Sequence, residues 1–258
     1  MIASRFTVYG QRALRIAVIS SPRSGNMWLR RLLTATYGLE ERSAHTPDEL
    51  DWETLPDGCA LQLHWRRTPA FRKRLKRHGF SVAVLARHPL DVLVSILHFA
   101  PHEPQTARWL DGECGNEDSL IGADPASPAF LAYATGPRAK ALLSVTPEWW
   151  EHADVRVRYE DLVAHPAGEL GRIVESLGGA PVTAPATAVE TASFGRLRDE
   201  ATNMHFWQGR PGLWSELVPT EYALAIASAH PEMLELGYSV GVDAPTARAR
   251  WSAIAAAS

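Results

Sequence analysis

Cysteine is nearly absent: Cys59 and Cys114 are the two in 258 residues. Two thiols build neither a disulfide framework nor a zinc site of paired CxxC motifs, and such sparse usage suits a reducing compartment. No apolar run approaches the roughly 18 residues that span a bilayer. At the amino end, MIASRFTVYGQRALRIAVISS, Arg5, Gln11, Arg12 and Arg15 interrupt the apolar residues, so this segment does not read as a signal-peptide core. The expectation is a soluble, cytoplasmic protein with no membrane partner. Internal repeats and low-complexity tracts are missing. So are HExxH, an EF-hand loop and any Cys/His cluster, and no metal is expected. Positive charge is not in excess: the net charge is −3, and no recognition motif accompanies the basic residues, so no nucleic-acid partner is expected. What remains is ample core material, 46% hydrophobic against 21% charged, which excludes a disordered chain. The length suits one α/β domain over residues 1–258.

A strand–loop–helix pattern recurs three times. Residues 15–20 (RIAVIS) are short, apolar and β-branched, a buried strand; MWLRRLLTATYG then carries Trp28, Leu29, Leu32 and Leu33 at helical spacing, with Gly38 as the stop. Residues 81–86 (SVAVLA) lead through RHPLD into VLVSILHF, with Pro89 suited to a first helical turn and Asp91 to the helix N-cap or the positive end of its dipole. Residues 154–158 (DVRVR) run through a turn, YEDLVAHP, into the helical GELGRIVESLGG, closed by Gly178 and Gly179. Strands separated by helices call for a parallel sheet covered on both faces. Between the second and third units, residues 100–147 hold many breakers and read as a loop-rich insertion placed to shape a pocket at the carboxyl ends of the strands.

Ser20-Ser21-Pro22-Arg23-Ser24-Gly25-Asn26-Met27-Trp28 lies between the first strand and its helix. Free N–H groups at a helix start attract an anion, with dipole contributions of roughly 0.3–1 kcal/mol each. Gly25 admits a close backbone approach, Ser24 and Asn26 add donors, and Arg23 brings permanent charge in a forked geometry. The G-x-x-x-x-G-K-[ST] pattern of triphosphate loops is absent. Taken alone, the segment is either such an anion site or an ordinary strand-to-helix turn. Arg87, at the end of the second strand, suits a bidentate contact with a second anion or a salt bridge to Asp91; Ser95, about two helical turns on, is a ligand-facing hydroxyl or a packing residue. Two anion sites on neighbouring strand ends suit a nucleotide with one phosphate on its 5′ side and another on its 3′ side.

SSPRSGNMW is similar to the 5′-phosphosulfate loop, often written YPKSGTTW, of the sulfotransferases that use 3′-phosphoadenosine 5′-phosphosulfate (PAPS). VLARHPLDVLVSILHF resembles that family's 3′-phosphate segment, R-[NH]-P-x-D-x-x-V-S-x-x-H-F. VRYEDL, the SF pair of ETASFGRLRDE, and FWQGRPGLWSELVP are similar to three further stretches, and all five follow the family's order from residue 15 to about 220. The resemblance implies a three-layer α/β sandwich with a central parallel sheet, the P-loop-NTPase-like sulfotransferase fold. It implies PAPS as co-substrate and the desulfonated nucleotide PAP as product. Arg23, Ser24, Gly25, Asn26, Met27 and Trp28 would hold the 5′ side, and Arg87 and Ser95 the 3′-phosphate. Trp28 and Phe194 would flank adenine with Tyr159 and Ser193 nearby, although both aromatics also suit plain core packing. The closing segment departs from the family, which usually has Arg-Lys-Gly where this chain has Trp207-Gln208-Gly209. There Arg210 is a substitute cation, and the N–H groups around Gly209 remain as donors.

Sulfonate transfer needs an acceptor that loses its proton and a leaving phosphate whose charge is neutralised. His64, after the apolar ALQL, aligns with the family's catalytic histidine in K-[TS]-H-L-P, and imidazole suits a general base near neutrality. Gln62 replaces that motif's lysine and Trp65-Arg66 its Leu-Pro; the other reading of His64 is a satisfied histidine at a strand end. Arg23 is a charge clamp for the leaving phosphate and, with its high pKa, no acid. His98 reads as structural or pocket-lining. The basic run at 66–78, RRTPAFRKRLKRH, is a solvated helix face or a surface steering anions. His102, Trp109, Phe130 and Tyr133 are candidate walls for a small-molecule acceptor bearing a hydroxyl or amine, while Trp149 and Trp150 suit packing. A P-loop kinase or NTPase, or a PAPS/PAP-binding protein without turnover, remain the alternatives. The family's KxxxTVxxxE dimerisation signature is not visible, and TARARWSAIAAAS suits packing on the domain or on a second chain in a homodimer; the chain reads as monomer or homodimer.

Overall fold

The computed structural model describes residues 14–200 and 206–240. Residues 1–13 and the TARARWSAIAAAS stretch therefore lie outside the described residues. Five strands, β1 (Arg15–Ile19), β2 (Glu40–Ser43), β3 (Cys59–Leu63), β4 (Phe80–Ala86) and β5 (Val155–Arg158), form one parallel sheet in the order β2-β3-β1-β4-β5. Alternation along β1 sends Ile16 and Val18 to one face and Ala17 and Ile19 to the other, all four fully buried. A strand buried on both sides needs helices on both sides.

The face of Ile16 and Val18 is covered by α1 (Asn26–Tyr37), through Leu29, Leu32 and Leu33. On the opposite face lie α2 (Pro69–Arg77), α3 (Pro89–Phe99), α4 (Pro128–Ala134) and α5 (Pro137–Trp150), which bring Phe71, Leu93, Phe130 and Leu142 to the core. The chain continues through α6 (Tyr159–Ala164), α7 (Pro166–Leu177), α8 (Pro185–Thr191) and α9 (Phe194–Glu200), with α7 and α8 joining α1 on the first face. Three short helices follow: α10 (Trp214–Leu217), α11 (Thr220–Ala229) and α12 (Glu232–Glu235).

Two sequence expectations change, and one strand was not foreseen. The YEDLVAHP segment is not a turn: it forms α6, and Pro166 starts α7. The insertion at 100–147 is largely 3₁₀ and α-helix, because Pro101, Pro104, Pro128 and Pro137 each sit in a first helical turn, where the missing N–H costs nothing. Edge strand β2 (EERS) carries charge instead of apolar alternation, which hides it from pattern reading and protects an exposed sheet edge. The basic run is a surface helix, α2, capped by Thr68 and anchored by Phe71 and Leu75. Arg74 pairs with Asp48, Arg77 with Glu53, and Arg66 with Glu113 and Glu148.

Within the insertion, Arg138 and Glu117 form a buried ion pair at 2.8 Å. The other Arg138 donors reach the main-chain carbonyls of Thr106, Trp109 and Glu113, and Tyr133 Oη donates to Glu117. This cluster fixes a turn in which Leu110 and Asp111 both have positive φ.

Candidate functional site

Four loops converge where strands end. Ser20–Gly25 follows β1, His64 follows β3, Arg87 follows β4 and Tyr159 follows β5. The carboxyl edge of an open parallel sheet, beside the strand at which the chain order reverses, is where α/β proteins bind ligands. A cavity of about 280 Å³ opens there. Of the residues expected from sequence to bind the nucleotide or to catalyse, all but Ser24, Ser193 and Arg210 line it.

The loop after β1 holds its shape through two left-handed residues, Arg23 (φ 62°) and Gly25 (φ 106°). Ser21 ties it to α5, its N–H donating to Thr146 Oγ1 at 2.9 Å and its hydroxyl to the Leu143 carbonyl at 3.0 Å. Ser24 is buried beneath the loop. A Cβ on Gly25 would lie 2.6 Å from Tyr159 Cδ2, so no other residue fits without displacing that ring. The Arg23 guanidinium packs over the Phe99 ring at 4.0 Å, and its Nε donates to Ser95 Oγ at 3.2 Å. Burial, then the neighbouring Arg87 charge, pushes the Arg23 pKa down to about 9. An anion bound here would relieve that repulsion.

Arg87 donates from Nη1 to the Arg23 carbonyl at 3.1 Å and stands over the Tyr159 ring at 4.5 Å. The salt bridge to Asp91 that sequence allowed does not form. Asp91 does not cap α3 either, since His88 Nδ1 accepts from the Leu90 N–H. The Asp91 carboxylate instead accepts from Gly212 N at 2.7 Å and Trp214 N at 2.9 Å, tying down the closing segment. Arg87 Nε is buried with no hydrogen-bond partner.

His64 Nδ1 lies 2.8 Å from the Ser20 carbonyl. A carbonyl only accepts, so Nδ1 carries the proton and Nε2 keeps a lone pair. Asn26 Nδ2, 3.5 Å from Nδ1, is then no donor to it; that amide donates to the Ser21 carbonyl at 3.0 Å. Burial dominates the His64 pKa and lowers it to about 4, against the opposing Ser20 bond, with further lowering from His45, Arg23 and Arg30.

The wall beyond Arg87 is aromatic. Trp28 meets Tyr159 and Phe194 edge-on, each at 6.1 Å, and its Nε1 donates to the Ala192 carbonyl. Tyr159 Oη donates to the Gly209 carbonyl at 2.9 Å, and a Cβ on Gly209 would meet Phe194 at 2.5 Å. His98 stacks on Trp207 at 4.0 Å, and burial lowers its pKa to about 4. Arg210 makes a two-pronged pair with Glu216, at 2.6 and 3.0 Å, and points away from the role expected of it because a carboxylate six residues on claims it. Ser193 accepts from Arg196 N within the first turn of α9. Of the expected acceptor walls, Trp109 lines the cavity; Phe130 and Tyr133 are core residues and His102 is exposed, outside the lining. Trp149 is buried and donates to the Trp65 carbonyl. Sequence reading missed Arg30, Gln105 and Thr106 in the lining, none of which sits in a recognisable motif, and took Asp91, which also lines the cavity, only for its place at the start of α3.

No protein-family model matches the chain, and no curated protein does. Solved structures do match. Mouse sulfotransferase SULT7A1 complexed with PAP is 18% identical, with a TM-score of 0.65 and 88% of each chain covered. Retinol dehydratase in complex with androsterone and the inactive cofactor PAP is 15% identical, with a TM-score of 0.56, over 91% of this chain and 84% of that one. The same protein with retinol and PAP gives 16% and 0.55. The likeness is one of fold: this chain has the α/β architecture of the sulfotransferases.

Proposed function

We propose that the protein transfers the sulfonate group of PAPS to a hydroxyl or amine of a small molecule. The observation that carries this reading is the meeting of Arg23, Arg87 and a neutral His64 with a free Nε2 in one cavity at the strand ends. The residues fit the nucleotide. Two guanidiniums suit its two phosphate-bearing ends. The Trp28–Phe194 wall suits a flat base. When bound, PAPS supplies a sulfonate group already activated for transfer.

Arg23 and the N–H groups at the start of α1 hold the 5′ side and neutralise charge on the leaving phosphate. Arg87 and Ser95 hold the 3′-phosphate. His64 Nε2 takes the acceptor proton, while the Nδ1–H bond to Ser20 keeps the ring oriented and the tautomer fixed. A pKa near 4 makes the free imidazole a weak base, and the negative charge of a bound nucleotide raises it toward neutrality. Incubating the purified protein with labelled PAPS and a panel of alcohols, phenols and amines tests the reading: label transferred to an acceptor supports it, and ATP binding in place of PAP contradicts it.

A further inference from the structure

Three segments meet at the ring of His88, the residue after Arg87. Its Nδ1 accepts from Leu90 N at 3.3 Å and caps α3. Its Nε2 lies 3.3 Å from the Ser239 carbonyl, which only accepts, so the ring is neutral with its proton on Nε2. One face stacks on the Trp214 indole, with centroids 4.7 Å apart and planes 19° from parallel, and Tyr238 meets the ring edge-on at 5.3 Å. The main chain is held as well. His88 N donates to Glu160 Oε1 at 2.9 Å, and Glu160 Oε2 accepts from Tyr238 Oη at 2.8 Å. One imidazole thus joins α3, the closing segment at α10 and the stretch after α12.

Arg87 has few ties of its own. Its Nη1 donates to the Arg23 carbonyl and its guanidinium lies over Tyr159, but among the described residues no carboxylate pairs with it. Where that side chain sits therefore depends on how the main chain beside it is held, and His88 holds it through both N–H and ring. The same ring presses on Trp214, whose N–H is tied to Asp91, so it also seats the segment that brings Gln208 and Gly209 to the cavity. With Trp207 and Gln208 uncharged and Arg210 claimed by Glu216, the 3′ side of a bound nucleotide depends on Arg87 for its cation. We propose that His88 is a positioning residue: its cap, its Ser239 bond and its Trp214 stack together set Arg87 and the closing segment at the separation that the 3′-phosphate of the donor requires. This rests on the sulfonate-transfer reading and adds a residue to its donor site. A residue that only capped α3 would weaken every nucleotide alike when removed. One that places Arg87 affects the ligand carrying a 3′-phosphate, because Arg23 and the start of α1 hold the 5′ side.

Calorimetric titration of wild type, His88→Ala and His88→Asn with PAP and with adenosine 5′-phosphate tests the inference. Wild type is expected to prefer PAP. His88→Ala loses cap, bond and stack together, so its PAP affinity should fall at least about 5-fold while adenosine 5′-phosphate binds within about 2-fold of wild type. His88→Asn returns an acceptor to Leu90 N, asparagine being among the best caps, and its PAP affinity should lie between those of His88→Ala and wild type. A PAP preference undiminished in His88→Ala overturns the inference, as does equal weakening of both nucleotides or an asparagine variant no better than the alanine one. Should His88→Ala not fold, amide hydrogen exchange on wild type decides. PAP should slow exchange at Leu90 N and Trp214 N more than adenosine 5′-phosphate does, and equal slowing overturns the inference. PAP binding that is indifferent to His88 defeats this inference alone; failure of wild type to bind PAP defeats the sulfonate-transfer reading and this inference with it.

Discussion

His64 Nδ1 donates to the Ser20 carbonyl at 2.8 Å, and Ser20 Oγ accepts from Leu85 N at 2.7 Å. One serine thus ties the ends of β1, β3 and β4 together and orients the imidazole. His64→Asn keeps a donor for Ser20 and loses the Nε2 lone pair. PAP affinity is expected to stay within about 2-fold of wild type, while turnover falls by about 10²–10⁴, the range general-base catalysis supplies. Calorimetry and a labelled-donor assay on the same preparation separate the two effects.

Stability should fall on mild acidification. Burial holds His64 and His98 near pKa 4, while unfolded histidines titrate near 6.5. The unfolded chain therefore binds protons first, and stability is full above about pH 6.5 and lost as pH falls toward 4. At ~1.36 kcal/mol per pH unit, each histidine costs about 2 kcal/mol by pH 5. Denaturant titrations at pH 7.5 and 5 check this, and His64→Asn should show the smaller decline.

Asp91→Asn leaves one of Gly212 N and Trp214 N without an acceptor. The cost should be about 1–3 kcal/mol, as for a buried group losing its partner. Because the same segment carries Gln208 and Gly209 at the cavity wall, PAP affinity should fall with it. Chemical denaturation and calorimetry read both.

Gly25→Ala would place a methyl group 2.6 Å from the buried Tyr159 ring at a φ of 106°. Strain of about 1–3 kcal/mol is expected, together with loss of PAP binding, since both the loop and Tyr159 line the site. A variant that melts like wild type and binds PAP normally contradicts the tight packing described.

Much of this molecule is legible in its sequence where chemistry is local. β1 and β4 show as unbroken apolar runs because both faces are buried, and the loop shows through Gly25, whose backbone angle few residues share. What was hidden depends on distant partners. Asp91 finds its donors 121 and 123 residues away, and nothing near it marks the pairing. Arg210 is withdrawn by Glu216 only because α10 starts between them. Pro101, Pro104, Pro128 and Pro137 look like breakers until each is seen to begin a helix.

The central claim is that the Arg23 and Arg87 strand ends grip opposite ends of one doubly phosphorylated nucleotide. Titrating wild type and Arg87→Ala with PAP and with adenosine 5′-phosphate tests it most directly. Wild type should prefer PAP by at least about 10-fold, a charge-assisted bidentate contact being worth that much, and Arg87→Ala should bind the two alike. Equal binding by wild type, or an undiminished preference in Arg87→Ala, would contradict it.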